Sequence, residues 1–152
     1  MTGSRVRLTG SIRVGLPPEE AFGLFTPNGE RAWAHGWAPE FPGPAGDDSE
    51  PGTAFVTRHG DQATIWTVAG REPGRSMRYV STIPGHRTGL ITVTCAEAGG
   101  ETAVTVSYDL TALDPSANAD LRRFADGYPE YLAHWERALA DLAKTIGKPL
   151  NG

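Results

Sequence analysis

From Asp114 to Gly147 the chain repeats apolar residues at intervals of three and four: Leu121, Phe124, Tyr128, Tyr131, Leu132, Trp135, Leu139, Leu142 and Ile146. That spacing lines one face of a helix. Arg122, Arg123, Asp126, Glu130, Arg137, Asp141 and Lys144 fall largely on the other face. Asp114 can cap the start, Pro115 fits the first turn, Gly147 can close the end and Pro149 forbids extension. About thirty residues in a helix span roughly 45–50 Å. An apolar stripe that long needs a broad sheet to lie across. Pro129 removes a backbone donor in mid-run, which predicts a bend near Tyr128.

At the other end, Val6, Leu8, Gly10, Ile12, Val14 and Leu16 alternate with Arg5, Arg7, Thr9, Ser11 and Arg13. This is a strand with one buried and one wet face. Pro17-Pro18-Glu19-Glu20 starts a short helix, its acids placed where the dipole favours them. Ala21, Phe22, Leu24 and Phe25 are its apolar side, and Thr26-Pro27-Asn28-Gly29 ends it. A second short helix runs from Glu30 to about Ala34. Gly36 to Gly52 is then a long loop rich in Pro, Gly and acids. Loops of this length in a compact domain are usually functional or mobile, so it is a candidate lid.

Thr53 to Leu113 reads as an antiparallel meander, and its turns assign faces. A hairpin at Gly60-Asp61 pairs His59 with Gln62, Thr57 with Thr64 and Phe55 with Trp66. Pro73-Gly74 places Val68 opposite Tyr79 and Trp66 opposite Ser81. Gly99-Gly100 pairs Cys95 with Val104, Val93 with Val106 and Ile91 with Tyr108. The two halves agree if the connection at Pro84 to Arg87 has an odd length or a bulge, because a one-residue slip turns a strand over. The inner face then carries His59, Trp66, Tyr79, Ser81 and Tyr108 among Phe55, Met77, Ile91, Val93, Val104 and Val106. A plain core would favour Leu, Ile and Val. Aromatic rings tipped with polar atoms suit a cavity with a few convergent polar groups.

The 152 residues fit a single domain, 1–152, large enough to bury a sizeable core. A formal charge of −4 with scattered arginines argues against nucleic acid or an anionic membrane as partner. The single Cys95 excludes an internal disulfide framework and fits a reducing compartment. It sits in an apolar run, where a thiol is inert packing. The N-terminus lacks a signal-peptide shape and no segment approaches membrane-spanning length, so a cytoplasmic protein, monomeric or homodimeric, is expected.

No phosphate loop and no Gly-x-Ser-x-Gly elbow is present. His35, Glu40, Asp47, Asp48 and Glu50 gather in the long loop, but at neither zinc nor calcium spacing, and a solvated acidic loop explains them better. No metal site is therefore assigned. General acid–base chemistry has better candidates. His59 lies on the inner face at a strand end and titrates near neutrality. Tyr79 or Tyr108 could donate to a developing enolate. Against this, His59 could cap the hairpin rim and the tyrosines could bind structural waters. His35 fits an entrance residue, His86 a solvated turn, His134 the flank of the helix stripe and Glu40 a surface ion pair. Trp66, Tyr79, Tyr108, Tyr131 and Trp135 are the expected cavity walls, joined by Phe55, Ser81 and Tyr128. Trp33, His35, Trp37, Glu40 and Phe41 form the lid.

The order of elements, with PPEEAF at 17–22, RAWAHGWAPEF at 31–41, TIWTV at 64–68, PGHRTGLITVTC at 84–95 and YDLTAL at 108–113, resembles a small bacterial member of the SRPBCC superfamily. These are the START/Bet v 1-like proteins, which include polyketide cyclases and dehydratases. The resemblance covers nearly the whole chain. It implies an α+β helix-grip fold: a curved six-stranded antiparallel sheet, two short helices after the first strand, and a long C-terminal helix across the sheet over an apolar tunnel. By default it implies no metal or redox cofactor, and it transfers no catalytic signature. The expected function is binding of a hydrophobic or aromatic small molecule, with cyclisation or dehydration of it by acid–base positioning. A non-catalytic carrier or sensor of a lipid or hydrophobic metabolite, and a co-chaperone-like interaction module, are the alternatives.

Overall fold

The computed structural model describes residues 3–147. Strand β1, Arg5–Val14, is followed by helix α1, Pro18–Gly23, and a 3-10 helix, Gly29–Ala32. The meander comprises β2 (Ala54–His59), β3 (Gln62–Glu72), β4 (Ser76–Ile83), β5 (Arg87–Ala98) and β6 (Glu101–Ala112). A 3-10 turn at Pro115–Ala117 leads into α2, Asn118–Asp126, and α3, Tyr128–Gly147. One antiparallel sheet results, in the order β1-β6-β5-β4-β3-β2.

The registers follow from the turns. Phe55 faces Trp66 and Thr57 faces Thr64 across the Gly60 hairpin. Trp66 faces Ser81 and Val68 faces Tyr79. Ile91, Val93 and Cys95 face Tyr108, Val106 and Val104. Ile83 pairs with Arg87 across Pro84-Gly85-His86, a loop of odd length, so Tyr79 meets Ile91 and Met77 meets Val93 on one face. That face is the core: Phe55, Val68, Met77, Tyr79, Ile91, Val104 and Val106 are all buried.

The C-terminal rod is two helices rather than the single one the periodicity predicts. The break falls at Gly127, beside the expected bend, because Pro129 has no N–H to continue the ladder. Asp114 caps the preceding turn, accepting from the Ser116 N–H at 2.9 Å. Leu121, Tyr128, Leu132 and Leu139 are buried as the stripe requires, but Ile146, in the last turn, is 52% exposed. Pro149 lies outside the described residues.

Two glycines set the spacing of these layers. A Cβ on Gly10 would sit 2.5 Å from Leu132 Cδ1, so the missing side chain lets α3 cross β1 closely. A Cβ on Gly89 would strike the backbone of Asp109 on β6. Gly89→Ala should therefore push β5 from β6 and cost about 1–3 kcal/mol in urea unfolding. An unchanged midpoint would show that the strands can part freely there.

Candidate functional site

The cavity lies between the inner face of the sheet and α3 and encloses about 500 Å³, ample for a small organic ligand. Its wall is a belt of indoles. Trp33 donates its ring N–H to the Leu24 carbonyl at 2.7 Å, Trp37 to the Pro27 carbonyl at 2.7 Å and Trp66 to the Thr57 hydroxyl at 2.9 Å. Each polar tip is satisfied within the protein, so the rings offer carbon surface to a ligand. Trp33 meets Trp135 edge-on at 5.1 Å, and Tyr131 leans on Trp135 at 5.5 Å. Trp37 meets Trp66 at 5.3 Å. The belt thus runs from α3 through the 3-10 helix to β3.

Few polar groups enter this belt. Tyr108, on β6, and Tyr131, on α3, place their hydroxyl oxygens 3.1 Å apart. One of the two protons is shared between them, and this contact leaves the other uncommitted. Burial raises the pKa of both, so they stay neutral donors. Glu30, on the 3-10 helix, also lines the cavity. As a residue it is half-buried. Burial holds its carboxyl well above the usual carboxylate range, and no cation among the described residues offsets this. The Glu30 charge in turn contributes to raising Tyr79, Tyr108 and Tyr131. Arg87, at the start of β5, lines the cavity with its guanidinium carbon 5.3 Å from the centre of the Phe124 ring. Ser81 adds a hydroxyl from the sheet floor.

Of the residues expected to form the site, Trp33, His35, Trp37, Trp66, Ser81, Tyr108, Tyr131 and Trp135 come together around this cavity. His35 is exposed at its mouth, and so is His134, beside Glu130 at 3.4 Å. The others are placed elsewhere. His59 stands exposed at the β2–β3 hairpin, and it does not line the cavity. Tyr79 is buried, but its hydroxyl donates to the Phe25 carbonyl at 2.5 Å and is committed to joining β4 to α1's end. Tyr128 likewise donates to the Val106 carbonyl at 2.7 Å. Phe55 and Phe41 pack behind the indole belt, 5.6 Å apart. Glu40 faces solvent, 3.7 Å from Arg58.

The long loop is tied down rather than hanging as a free lid. Glu40 and Val56 exchange backbone hydrogen bonds at 2.9 Å, Asp47 pairs with Arg71 at 2.7 Å, and Gly52 donates to Val68 at 2.8 Å. Its acids therefore point at different partners and do not converge. His86 is not solvated as its turn position suggests: it lies 3.6 Å from Asp120 with its side chain 25% exposed. Cys95 is buried and its thiol is pushed up to about 11, which makes it unreactive. Glu30 and Arg87 are the ionisable cavity groups that the periodicity did not single out.

A family described as polyketide cyclase / dehydrase and lipid transport matches residues 5–147. No curated protein matches the sequence. Among solved structures, an uncharacterised protein from Rhizobium leguminosarum is similar at a TM-score of 0.67 and 16% identity, covering 91% of this chain and 96% of its own. A point mutant of norcoclaurine synthase from Thalictrum, in complex with a transition-state analogue, is similar at 0.67 and 10%, covering 97% and 99%. CalU16 from Micromonospora echinospora is similar at 0.60 and 14%, covering 93% and 92%. At these identities the likeness is one of fold, the helix-grip plan of the Bet v 1-like proteins.

Proposed function

Given that the chain belongs to the polyketide cyclase / dehydrase and lipid transport family, we propose that it binds an aromatic or hydrophobic ketone in this cavity and catalyses proton transfer on it. Glu30, in place of the His59 that the strand pattern suggests, is the acid–base group. The Tyr108–Tyr131 pair stabilises the oxyanion. The observation that supports this reading is the Glu30 carboxyl, lining the cavity without a cation to hold it ionised, with two neutral tyrosine hydroxyls within reach of its charge.

The chemistry follows from the arrangement. As carboxylate, Glu30 takes a proton from the carbon next to a ligand carbonyl. The carbonyl oxygen gains the negative charge and accepts a hydrogen bond from the tyrosine pair. If the enolate carbon then attacks a second carbonyl of the same chain, a ring closes and the new alkoxide takes the proton back from Glu30. In a dehydration the same proton leaves with the departing hydroxyl as water. A raised carboxyl pKa suits both directions, since efficient general acids and bases titrate near working pH. The structural neighbour holding a transition-state analogue supports chemistry being possible in such a cavity.

The outer sheet face exposes Ile65, Val80 and Leu90, as a docking module would. Such a module would have a filled interior, and this one is open. Enzyme and carrier separate in one measurement. With 2-tetralone in D₂O, a catalytic amount of protein should accelerate deuterium entry at the carbons flanking the ketone, read by NMR. Binding of 2-tetralone with exchange no faster than in buffer would reduce the protein to a carrier.

A further inference from the structure

We infer that the cavity's ligand carries a carboxylate, seated on Arg87 at one end of the indole belt, so that the substrate class is an aromatic keto-acid anion. The inference rests on the cavity reading and adds the ligand's charge to it. Among the described residues lining the cavity, Arg87 is the one permanent cation. It has no ion pair. The acids on neighbouring elements are engaged: Asp109 holds Arg5 at 2.7 Å, and Asp120 holds Arg123 and lies beside His86. Burial works against its ionised form, and the tyrosines that share its cavity, Tyr108 and Tyr131, are neutral at ordinary pH.

A half-buried guanidinium without a counter-ion is a standing cost that a bound anion would remove. Arginine stays charged and presents a planar fork that matches a carboxylate. Its seat over Phe124 leaves it beside a ring surface on which an aromatic ligand can also rest.

Arg87, the Tyr108–Tyr131 pair and Glu30 all line the same cavity. One extended ligand can therefore set a carboxylate on Arg87, a keto oxygen on the tyrosine hydroxyls and an acidic carbon at Glu30.

The test compares 2-naphthoate with neutral 2-naphthamide by isothermal titration calorimetry at neutral pH. The wild-type protein should bind the anion at least about tenfold more tightly, as expected for a charge-assisted hydrogen-bonded pair. Arg87→Gln should lose that preference while keeping its affinity for naphthamide. Arg87→Lys, which keeps the charge but not the fork, should retain part of it, and it serves equally should Arg87→Gln fail to fold. Equal binding of the two probes by wild type, or a preference that survives in a folded Arg87→Gln protein, overturns the carboxylate while leaving the cavity reading intact. Binding of neither probe overturns both.

Discussion

Glu30→Gln is expected to slow protein-catalysed exchange on 2-tetralone by at least about a hundredfold while leaving its binding within about threefold of wild type. Positioned general acid–base groups contribute roughly 10²–10⁴ in rate. Glutamine keeps the size and polarity of Glu30 but can neither take nor carry the proton. A second readout does not depend on the substrate. Because burial raises the folded-state pKa of Glu30 above its unfolded value, the folded protein binds more protons in that interval. Its contribution to stability is therefore fully present below the unfolded carboxylate pKa and is lost as pH rises through the folded one. Glu30→Gln should flatten this decline, seen as urea midpoints that vary less between acidic and neutral pH. A variant with unchanged exchange and an unchanged pH profile would show that the carboxyl is neither buried as drawn nor chemical.

Why the strand pattern offered His59 and missed Glu30 is a matter of what periodicity reports. Alternation along β2 fixes the side of the sheet on which His59 stands, and that side is right. It carries no information on how far along the strand the cavity extends, and His59, exposed at the hairpin, does not line it. Tyr79 was legible as buried, but the Phe25 carbonyl that takes its hydroxyl is supplied by α1's end, far away in sequence. The registers, by contrast, were set by local turns: two residues at Gly60-Asp61 suffice to bring Phe55 opposite Trp66. The missed groups had signals too. Glu30 lies in the 3-10 turn that Trp33 closes, its carbonyl accepting from the Trp33 N–H at 3.2 Å, so the two stand one short turn apart. On β5, Arg87 lies four residues from Ile91 and so shares its inner face. Both were obscured by their neighbours, one by a Gly-rich stop and the other by a turn.

Phe55→Ala is expected to cost about 3–5 kcal/mol, the usual loss for a fully buried phenylalanine. For a domain of this size that lowers Tm by on the order of 10 °C. Phe55 is 0% exposed and sits where four rings meet. It stacks parallel to Trp66 at 5.7 Å, takes the edge of Trp37 at 5.9 Å, lies against Phe41 at 5.6 Å and meets Tyr79 at 6.1 Å. It also belongs to β2, an edge strand held on its outer side by the single bridge to Glu40. Few other contacts can compensate there, so the void should not close by repacking. The loss should reach the site as well, since Trp37 and Trp66 form cavity wall on one side and rest on Phe55 on the other. Naphthamide affinity, which reads the aromatic wall without the charge, should fall together with Tm. Phe41→Ala, at a half-buried position, should cost clearly less on both counts. If Phe55→Ala lowered Tm but left naphthamide binding untouched, the indole belt would be supported from elsewhere, and the cavity's shape would not depend on the core behind it.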